Sequence, residues 1–399
     1  MRVTCQLINT DDGGELWSEQ YDREMADVFA LQEEMTRAIV DKLKGSLVEQ
    51  LRVSPRHTES RSAYHHYLKG RFYWSKRYEG GLNKAMEEFE CAIRDDSNYA
   101  LAYSGVADTL IWRGLYSLEC PRDLFSRAER YVGKALSINS RLPEAHASLA
   151  LIQLSAHWDF AAAENEFLWA IELDPAQPLA HVYYSWMLVI ADRYWEAGVA
   201  AKRAQDLDPF SPLVMSGVVW MHLHIREFDQ AIEAADKCLE VDPNFLVALY
   251  LQGMAYMCKG QLTEAAPLME RATALSGRAP FHLGLQGLLY AKMGRTKEVE
   301  EIVQELDGLR AGGRYVPPHC YAYIYAGLGD YDRAFDWQEK ACEDGAPPLY
   351  FVSPAIDCLR SDPRHTDHMR RMRRRASDTL AIRIPASRQS GAVDLLRPE

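Results

Sequence analysis

The chain lacks the residue patterns that most catalytic sites require. It has no glycine-rich loop with the spacing of a phosphate-binding site, because Gly80-Gly81 and Gly312-Gly313 are isolated pairs typical of turns. No serine lies in a nucleophile elbow. Adjacent acids such as Glu300-Glu301 are typical of a solvated helix face. We therefore predict that the chain is not an enzyme, with no catalytic residues and no cofactor.

Cysteine and histidine are present, but not in the patterns of metal ligands. No two of the eight cysteines form a C-x-x-C pair. His222 and His224 are two residues apart on a predicted helix, so their side chains point about 200° apart. His365 and His368 can share a helical face but have too few companion ligands. We predict no metal site, and reduced thiols that favour a cytoplasmic protein.

Basic charge and long apolar runs are also scarce. The 57 acidic residues exceed the 45 basic ones and give a formal net charge of −12, which argues against non-specific nucleic-acid binding by the body of the chain. The basic run at 370–375 is the exception, either a solvated last helix or a segment that docks on an acidic surface or nucleic acid. No apolar stretch reaches the roughly 18 residues of a membrane span.

What the sequence does have is a repeat. Glu-Leu-Asp-Pro at 172–175, Asp-Leu-Asp-Pro at 206–209 and Glu-Val-Asp-Pro at 240–243 end in prolines 34 residues apart. A fixed period of this length indicates a tandem array of one structural unit. Pairs of small residues seven apart recur in register with it, on a helix face that a neighbouring helix can approach closely. They include Ala128 and Ala135, Ala163 and Ala170, Ala197 and Ala204, Ala231 and Cys238, and Ala265 and Ala272.

This pattern resembles the tetratricopeptide repeat, a unit of two antiparallel helices with small residues on both and a closing proline. The resemblance implies an all-α fold, an α-solenoid in which about eight helix-turn-helix units form a right-handed superhelix over residues 63–348. The predicted units are 63–99, 100–142, 143–177, 178–211, 212–245, 246–279, 280–314 and 315–348. A linker at 51–62, a C-terminal capping segment at 349–377 and a disordered tail at 378–399 complete the prediction.

Two predicted units depart from the pattern. Unit 100–142 is longer than 34 residues, and the excess near Leu115–Asp123 is interpreted as a longer turn between its helices, either tolerated loop length or a contact loop. Unit 280–314 has Val299 and Leu306 where alanines are expected.

Residues 1–50 lie outside the repeat. Alternation at Arg2–Asn9, turn residues at 10–14 and a second alternating run at Glu15–Tyr21 predict a β-hairpin, and a helix is predicted from Asp27 onward. This segment resembles the C-terminal part of a bacterial TolB-like domain, which implies that the rest of that domain precedes Met1. The free edge of the strand at 2–8 is a candidate for self-association.

The resemblance implies that the first helix of each unit lines a concave groove. Its inward positions carry few lysines or asparagines, which argues against capture of a carboxylate-terminated peptide. The middle of the wall is apolar and aromatic, so it either binds a partner or is buried by neighbouring turns. The candidate groove residues are Tyr67, Arg71, Trp74, Val182, Trp186, Val189, Ser216, Trp220, Leu223, Tyr250, Met254, Met257, His319 and Tyr323.

Two functions follow from the sequence. The first is a non-enzymatic scaffold that binds an apolar peptide or helix of a protein partner in its groove. The second is a regulatory, sensory or oligomerisation part of a larger bacterial signalling protein, whose head would be a class III nucleotide cyclase, a winged-helix transcription regulator or a protein kinase. The sequence does not choose between them.

Overall fold

The computed structural model describes residues 2–8, 15–22, 34, 35, 38, 57–367 and 370. The basic run beyond Arg370, the predicted tail and the predicted linker up to residue 56 lie outside the described residues. So does most of the predicted N-terminal helix, of which Glu34, Met35 and Ala38 are described as helical.

The N-terminal prediction of a hairpin is confirmed. Strand β1 (Arg2–Ile8) pairs antiparallel with β2 (Glu15–Asp22). The register sets Val3 opposite Tyr21 and Leu7 opposite Trp17, so the two alternating runs share one face of the sheet. Within the described residues this sheet has two strands.

The predicted all-α solenoid is confirmed by sixteen α-helices between residues 61 and 343. Consecutive helices pack pairwise as hairpins, and each hairpin packs on the next. The helices are α1 (Arg61–Ser75), α2 (Glu79–Asp95), α3 (Ala100–Leu115), α4 (Pro121–Ile138), α5 (Pro143–Ile152), α6 (Phe160–Leu173), α7 (Pro178–Ile190), α8 (Tyr194–Leu207), α9 (Pro212–His224), α10 (Phe228–Val241), α11 (Leu246–Cys258), α12 (Leu262–Leu275), α13 (Pro280–Lys292), α14 (Thr296–Ala311), α15 (Pro318–Leu328) and α16 (Tyr331–Glu343).

A left-handed residue closes the first helix of every hairpin, and the sequence analysis missed it. It recurs 34 residues apart at Trp158, Asp192, Arg226, Gly260 and Gly294, all with positive φ. Glycine adopts this conformation without strain, whereas other residues require support from their surroundings. Five of the eight hairpins have a non-glycine residue there, which hides the periodicity. The eight positions are 77, 117, 158, 192, 226, 260, 294 and 329.

The extra length of unit 100–142 lies mainly in its helices, contrary to the expectation of a long turn. The turn at 116–120 is two residues longer than the turn at 225–227. Helix α3 has 16 residues and α4 has 18, whereas α9 has 13 and α10 has 14. An extended turn is therefore a minor part of the insertion.

Close packing of first helices accommodates the bulky residues of unit 280–314. Val299 and Leu306 of α14 are buried, at 3% and 0% exposure. On the other side of α13, Gly284 and Gly287 let α15 approach. A Cβ atom on Gly284 would lie 2.7 Å from the Cβ of Cys320. These glycines therefore allow the first helices of two neighbouring hairpins to pack closely.

The superhelix turns far enough for its two ends to meet, since the turn before the last hairpin contacts the first hairpin and the end of the last hairpin contacts the second. Arg314 donates to Glu79 across 235 positions of sequence at 2.6 Å. The backbone N–H of Arg122 donates to the Asp344 carbonyl at 3.2 Å. Because the ends touch, the concave wall encloses a narrow interior instead of a wide open groove.

Candidate functional site

The interior of the superhelix is lined by aromatic rings from the first helices. The ring centroid of Trp186 lies 5.9 Å from that of Trp112 and 5.2 Å from that of Trp220. Trp220 in turn stacks on His224 at 3.7 Å. Rings at these separations contact one another, so these four side chains form one continuous aromatic cluster.

Most of the candidate inward strip is buried by the chain itself. Trp220 is 7% exposed and Tyr250 8% exposed, and Trp186 is half-buried. The enclosure by neighbouring turns that the sequence left open as an alternative is what the structure has. Val182, Val189, Ser216, Leu223, Met254 and Met257 are likewise buried.

The candidates at the two ends of the strip also have partners within the chain. Arg71 pairs with Asp108 at 3.2 Å, and the half-buried Tyr67 packs with its ring 5.3 Å from Tyr99. At the other end His319 stacks on Tyr350 at 3.9 Å, while the Tyr323 hydroxyl donates to the Tyr350 carbonyl at 3.2 Å.

Tyr350 belongs to a C-terminal segment, residues 346–359, that fills part of the interior. It contains two 3₁₀ turns, Pro348–Tyr350 and Pro354–Leu359. Tyr350 is 3% exposed, Phe351 2% and Leu359 0%. A short segment buried this completely contributes to the core of the array rather than forming a surface loop.

Contacts of this C-terminal segment span hairpins that are distant in sequence. Phe351 lies 6.0 Å from the ring of Trp158, and Tyr350 lies 5.9 Å from Phe281. Arg226 makes a two-pronged contact with Asp357, at 3.0 Å from Nε and 2.8 Å from Nη2. Trp158 and Arg226 are left-handed turn residues, so their strained turns direct side chains onto the segment.

Arg77, another left-handed turn residue, holds a charge inside the aromatic interior. It is 2% exposed, and its guanidinium carbon lies 3.7 Å from the centroid of Trp74 and 3.5 Å from that of Trp112. Its Nη2 donates to the Tyr183 hydroxyl at 3.2 Å. Burial lowers the pKa of Arg77, as expected for a charge removed from water.

Two cavities adjoin these residues. A small one of about 30 Å³ has Arg77, Trp112, Trp186 and Trp220 among its walls. An open cleft of about 370 Å³ lies where α4, the turn at Trp158 and residues 342–346 meet. In the cleft His157 lies 3.5 Å from Glu129, and the hydrogen bond between them raises the pKa of His157 and lowers that of Glu129.

The part of the chain that the structure describes shows no converging metal ligands. No group of three or more histidine, cysteine, aspartate or glutamate side chains there is arranged to hold an ion. His368, which the sequence analysis considered together with His365 as a candidate metal ligand, lies outside the described residues. All eight cysteines lie within the described residues, and none of them is in a disulfide there. None of the described helices is long and apolar enough to cross a bilayer.

The sequence analysis missed several interior residues because it did not assign the inward positions in every unit. Asp108 and Trp112 occupy the ninth and thirteenth positions of unit 100–142, and Phe281 the second of unit 280–314. The same register would have found them. Arg77, Tyr350 and Phe351 had no such signal, because they lie in a turn and beyond the repeats.

Comparisons with known proteins agree with this architecture. A family model described as tetratricopeptide repeat matches residues 321–343. This match, together with the eight helical hairpins, confirms the predicted tetratricopeptide-repeat architecture.

Solved structures similar to this chain include yeast Tom70, at 16% identity over 87% of this chain and 78% of that one, with a TM-score of 0.46. A tetratricopeptide repeat protein from Parabacteroides merdae is similar at 14% identity over 67% and 99% of the two chains, with a TM-score of 0.43. Neither likeness bears on what this chain binds.

One curated protein is similar to part of this chain. The chain is 28% identical over 200 residues to a protein described as putative adenylate cyclase 3 of Rhizobium meliloti (strain 1021), and the match covers 47% of this chain. It covers 27% of that protein, so this chain spans about a quarter of the relative's length.

Proposed function

We propose that the chain is a non-enzymatic protein-interaction scaffold whose interior takes an apolar peptide with aromatic anchors. The observation that carries the proposal is the C-terminal segment itself. Residues 346–359 bury Tyr350 and Phe351 against the inward wall. The segment therefore serves as an intramolecular model of the peptide that we propose this wall binds. Aromatic residues buried in pockets are the usual anchors of such contacts.

Because the C-terminal segment occupies the interior, an external peptide has to compete with that segment for the wall. A tethered segment acts at an effective concentration of about 1 mM, so an external peptide of similar sequence binds the native chain poorly. Weakening the segment must therefore raise the affinity for that peptide. The partner we propose is a segment with two adjacent aromatic residues in an apolar, proline-flanked stretch, as at 347–354.

The test uses the full chain and a fluorescent peptide with the sequence of residues 346–361. Tyr350→Ala with Phe351→Ala in the chain should strengthen peptide binding at least about tenfold in fluorescence anisotropy, because loss of two buried rings costs several kcal/mol of intramolecular docking. Phe210→Ala is the matched control, since that ring is 75% exposed and its removal should leave binding unchanged.

Equal binding to the native chain and to the double variant would refute the proposal. A peptide in which the two aromatic residues are serine should bind neither form. If it binds as well as the native peptide, the interior does not recognise aromatic anchors.

The second candidate is a regulatory part of a larger signalling protein. It is favoured by the similarity to part of a putative adenylate cyclase. In this second proposal residues 1–50 would be the end of a TolB-like domain. The gene sequence upstream of the Met1 codon tests it. An in-frame continuation into a cyclase, winged-helix or kinase domain supports this role, whereas a stop codon followed by a ribosome-binding site argues against it.

A further inference from the structure

We infer that the interior cavity beside Arg77 is a binding site for a small carboxylate anion of the size of formate or acetate. The inference concerns a ligand other than the peptide proposed above and does not depend on it. It starts from an unsatisfied charge. Nη1 of Arg77 is buried and has no hydrogen-bond partner in the described part of the chain. Buried charges are normally paired, because an unpaired one loses its hydration without compensation.

The described residues do not supply the missing partner. Asp108 is the carboxylate whose charge acts on Arg77, but it is engaged elsewhere. Arg71 donates to its Oδ2 at 3.2 Å, and the Ser148 hydroxyl donates to its Oδ1 at 2.5 Å. Trp74 and Trp112 cover the two faces of the Arg77 guanidinium, so the edge of the guanidinium remains for a ligand.

Arg77 lies in the wall of a built cavity, together with Tyr116, Tyr183, Ser216 and Tyr250. The Tyr116 hydroxyl is a second buried polar group in the wall; it interacts with the Tyr250 side chain and makes no other hydrogen bond in the described part of the chain. A guanidinium N–H and a phenol O–H are both donors to an anion. The walls are completed by Trp112, Leu179, Trp186, Leu213, Trp220, Val247 and Leu251.

Charge and size select the class of anion. Arg77 is the one charged residue among the twelve that line the cavity, so a monoanion balances the site and a phosphate dianion does not. The volume of about 30 Å³ corresponds to roughly two or three water molecules, which fits a carboxylate with a hydrogen or methyl group. Guanidinium pairs with planar carboxylates in a two-pronged geometry, and the tryptophan walls suit the apolar end.

Leu179, Trp186 and Leu213 are the lining residues of the cavity that remain partly exposed. Ligand would enter past them. Because Trp186 and Trp220 line the cavity, occupancy should change tryptophan fluorescence as well as stability.

The test measures thermal unfolding of the full chain in sodium formate or sodium acetate, at an ionic strength held constant with sodium gluconate, which is too large for the cavity. Formate and acetate should raise Tm saturably by at least about 3 °C, since a ligand that binds the native state stabilises it by mass action. Arg77→Met keeps an unbranched apolar stem and removes the charge, so it should abolish the shift.

Arg278→Met is the matched control. Arg278 has the same φ of 58° as Arg77, but its guanidinium is exposed and paired with Glu305 at 2.5 Å. The anion-dependent shift should persist in this variant. An equal shift in Arg77→Met would show a general salt effect and overturn the inference.

The native chain alone gives an independent decision if Arg77→Met does not fold. Tryptophan fluorescence should respond to formate and acetate with one saturable midpoint each, and not to pivalate, which is too bulky. A response to chloride of the same size as that to formate would overturn the carboxylate assignment. A response to pivalate equal to that for acetate, or no response to either small carboxylate, would overturn the site.

Discussion

Lowering the pH from 7.5 to 5.0 should destabilise the array through three histidines in its interior. His224, His282 and His319 are 4%, 6% and 2% exposed. Burial lowers the pKa of each to about 3. Neither ring nitrogen of His282 or His319 has a hydrogen-bond partner in the described part of the chain. For His224 the positive charges of Arg226 and Arg360 lower the pKa further.

The direction of the change in stability follows from which state, folded or unfolded, binds the proton at the higher pH. In the unfolded chain a histidine has a pKa of about 6.5. As the pH falls, the unfolded state therefore binds protons at pH values at which the folded state is still unprotonated. Stability is therefore complete above about pH 6.5 and is lost progressively down to about pH 3. At pH 5.0 the loss is about 2 kcal/mol for each histidine and about 6 kcal/mol for the three.

Urea unfolding followed by circular dichroism at pH 7.5, 6.0 and 5.0 measures this loss. In the triple variant His224→Phe, His282→Phe and His319→Phe, an uncharged ring replaces each histidine, so the pH dependence should be much flatter. His65→Phe is the control, because His65 is exposed, and it should keep the dependence of the native chain.

A native chain whose unfolding free energy is the same at pH 7.5 and 5.0 would refute the reasoning. A triple variant that loses as much stability as the native chain would also refute it, since the titrating groups would then lie elsewhere.

Three further predictions concern helix packing. Ala231→Leu and Ala265→Leu, at positions with 0% exposure, should each cost about 1–3 kcal/mol by overpacking, and unchanged melting curves would contradict the helix register. Gly284→Ala should cost a similar amount, because the new Cβ would lie 2.8 Å from the Cα of Cys320; thermal melting measures it. Gly198→Ala, where a Cβ would meet nothing within 4 Å, should instead stabilise the chain by about 0.5–1 kcal/mol, and a lower Tm would count against the stated geometry.

Repetition made the architecture predictable from the sequence. Each hairpin contacts mainly its neighbours, so the spacing of prolines such as Pro209 and Pro243 and of alanines such as Ala231 carries most of the information about helix length and packing. The hairpin at residues 2–22 was predictable for a similar reason, because alternation and turn residues are local signals. The inward positions of Trp186 and Trp220 were implied by the resemblance to the tetratricopeptide repeat, applied on the same register.

The sequence could not determine whether that inward strip is open. Closure depends on the small rotation between successive hairpins, which accumulates over seven units until Glu79 meets Arg314. A sequence pattern within one unit does not specify the total rotation of the array. Nor did they place the C-terminal segment, because the partners of Tyr350 and Phe351 are rings far away in the chain.

The sequence by itself thus determined the kind of unit, its approximate number and which helix faces turn inward, since these depend on contacts within one hairpin or between neighbours. The tertiary structure decided what the inward faces meet. It buried Trp220, placed Arg77 between two tryptophans, and brought Tyr350 onto His319. Those contacts depend on the curvature of the whole array, because only a superhelix that closes on itself brings its first turn, its middle wall and its C-terminal segment into one interior.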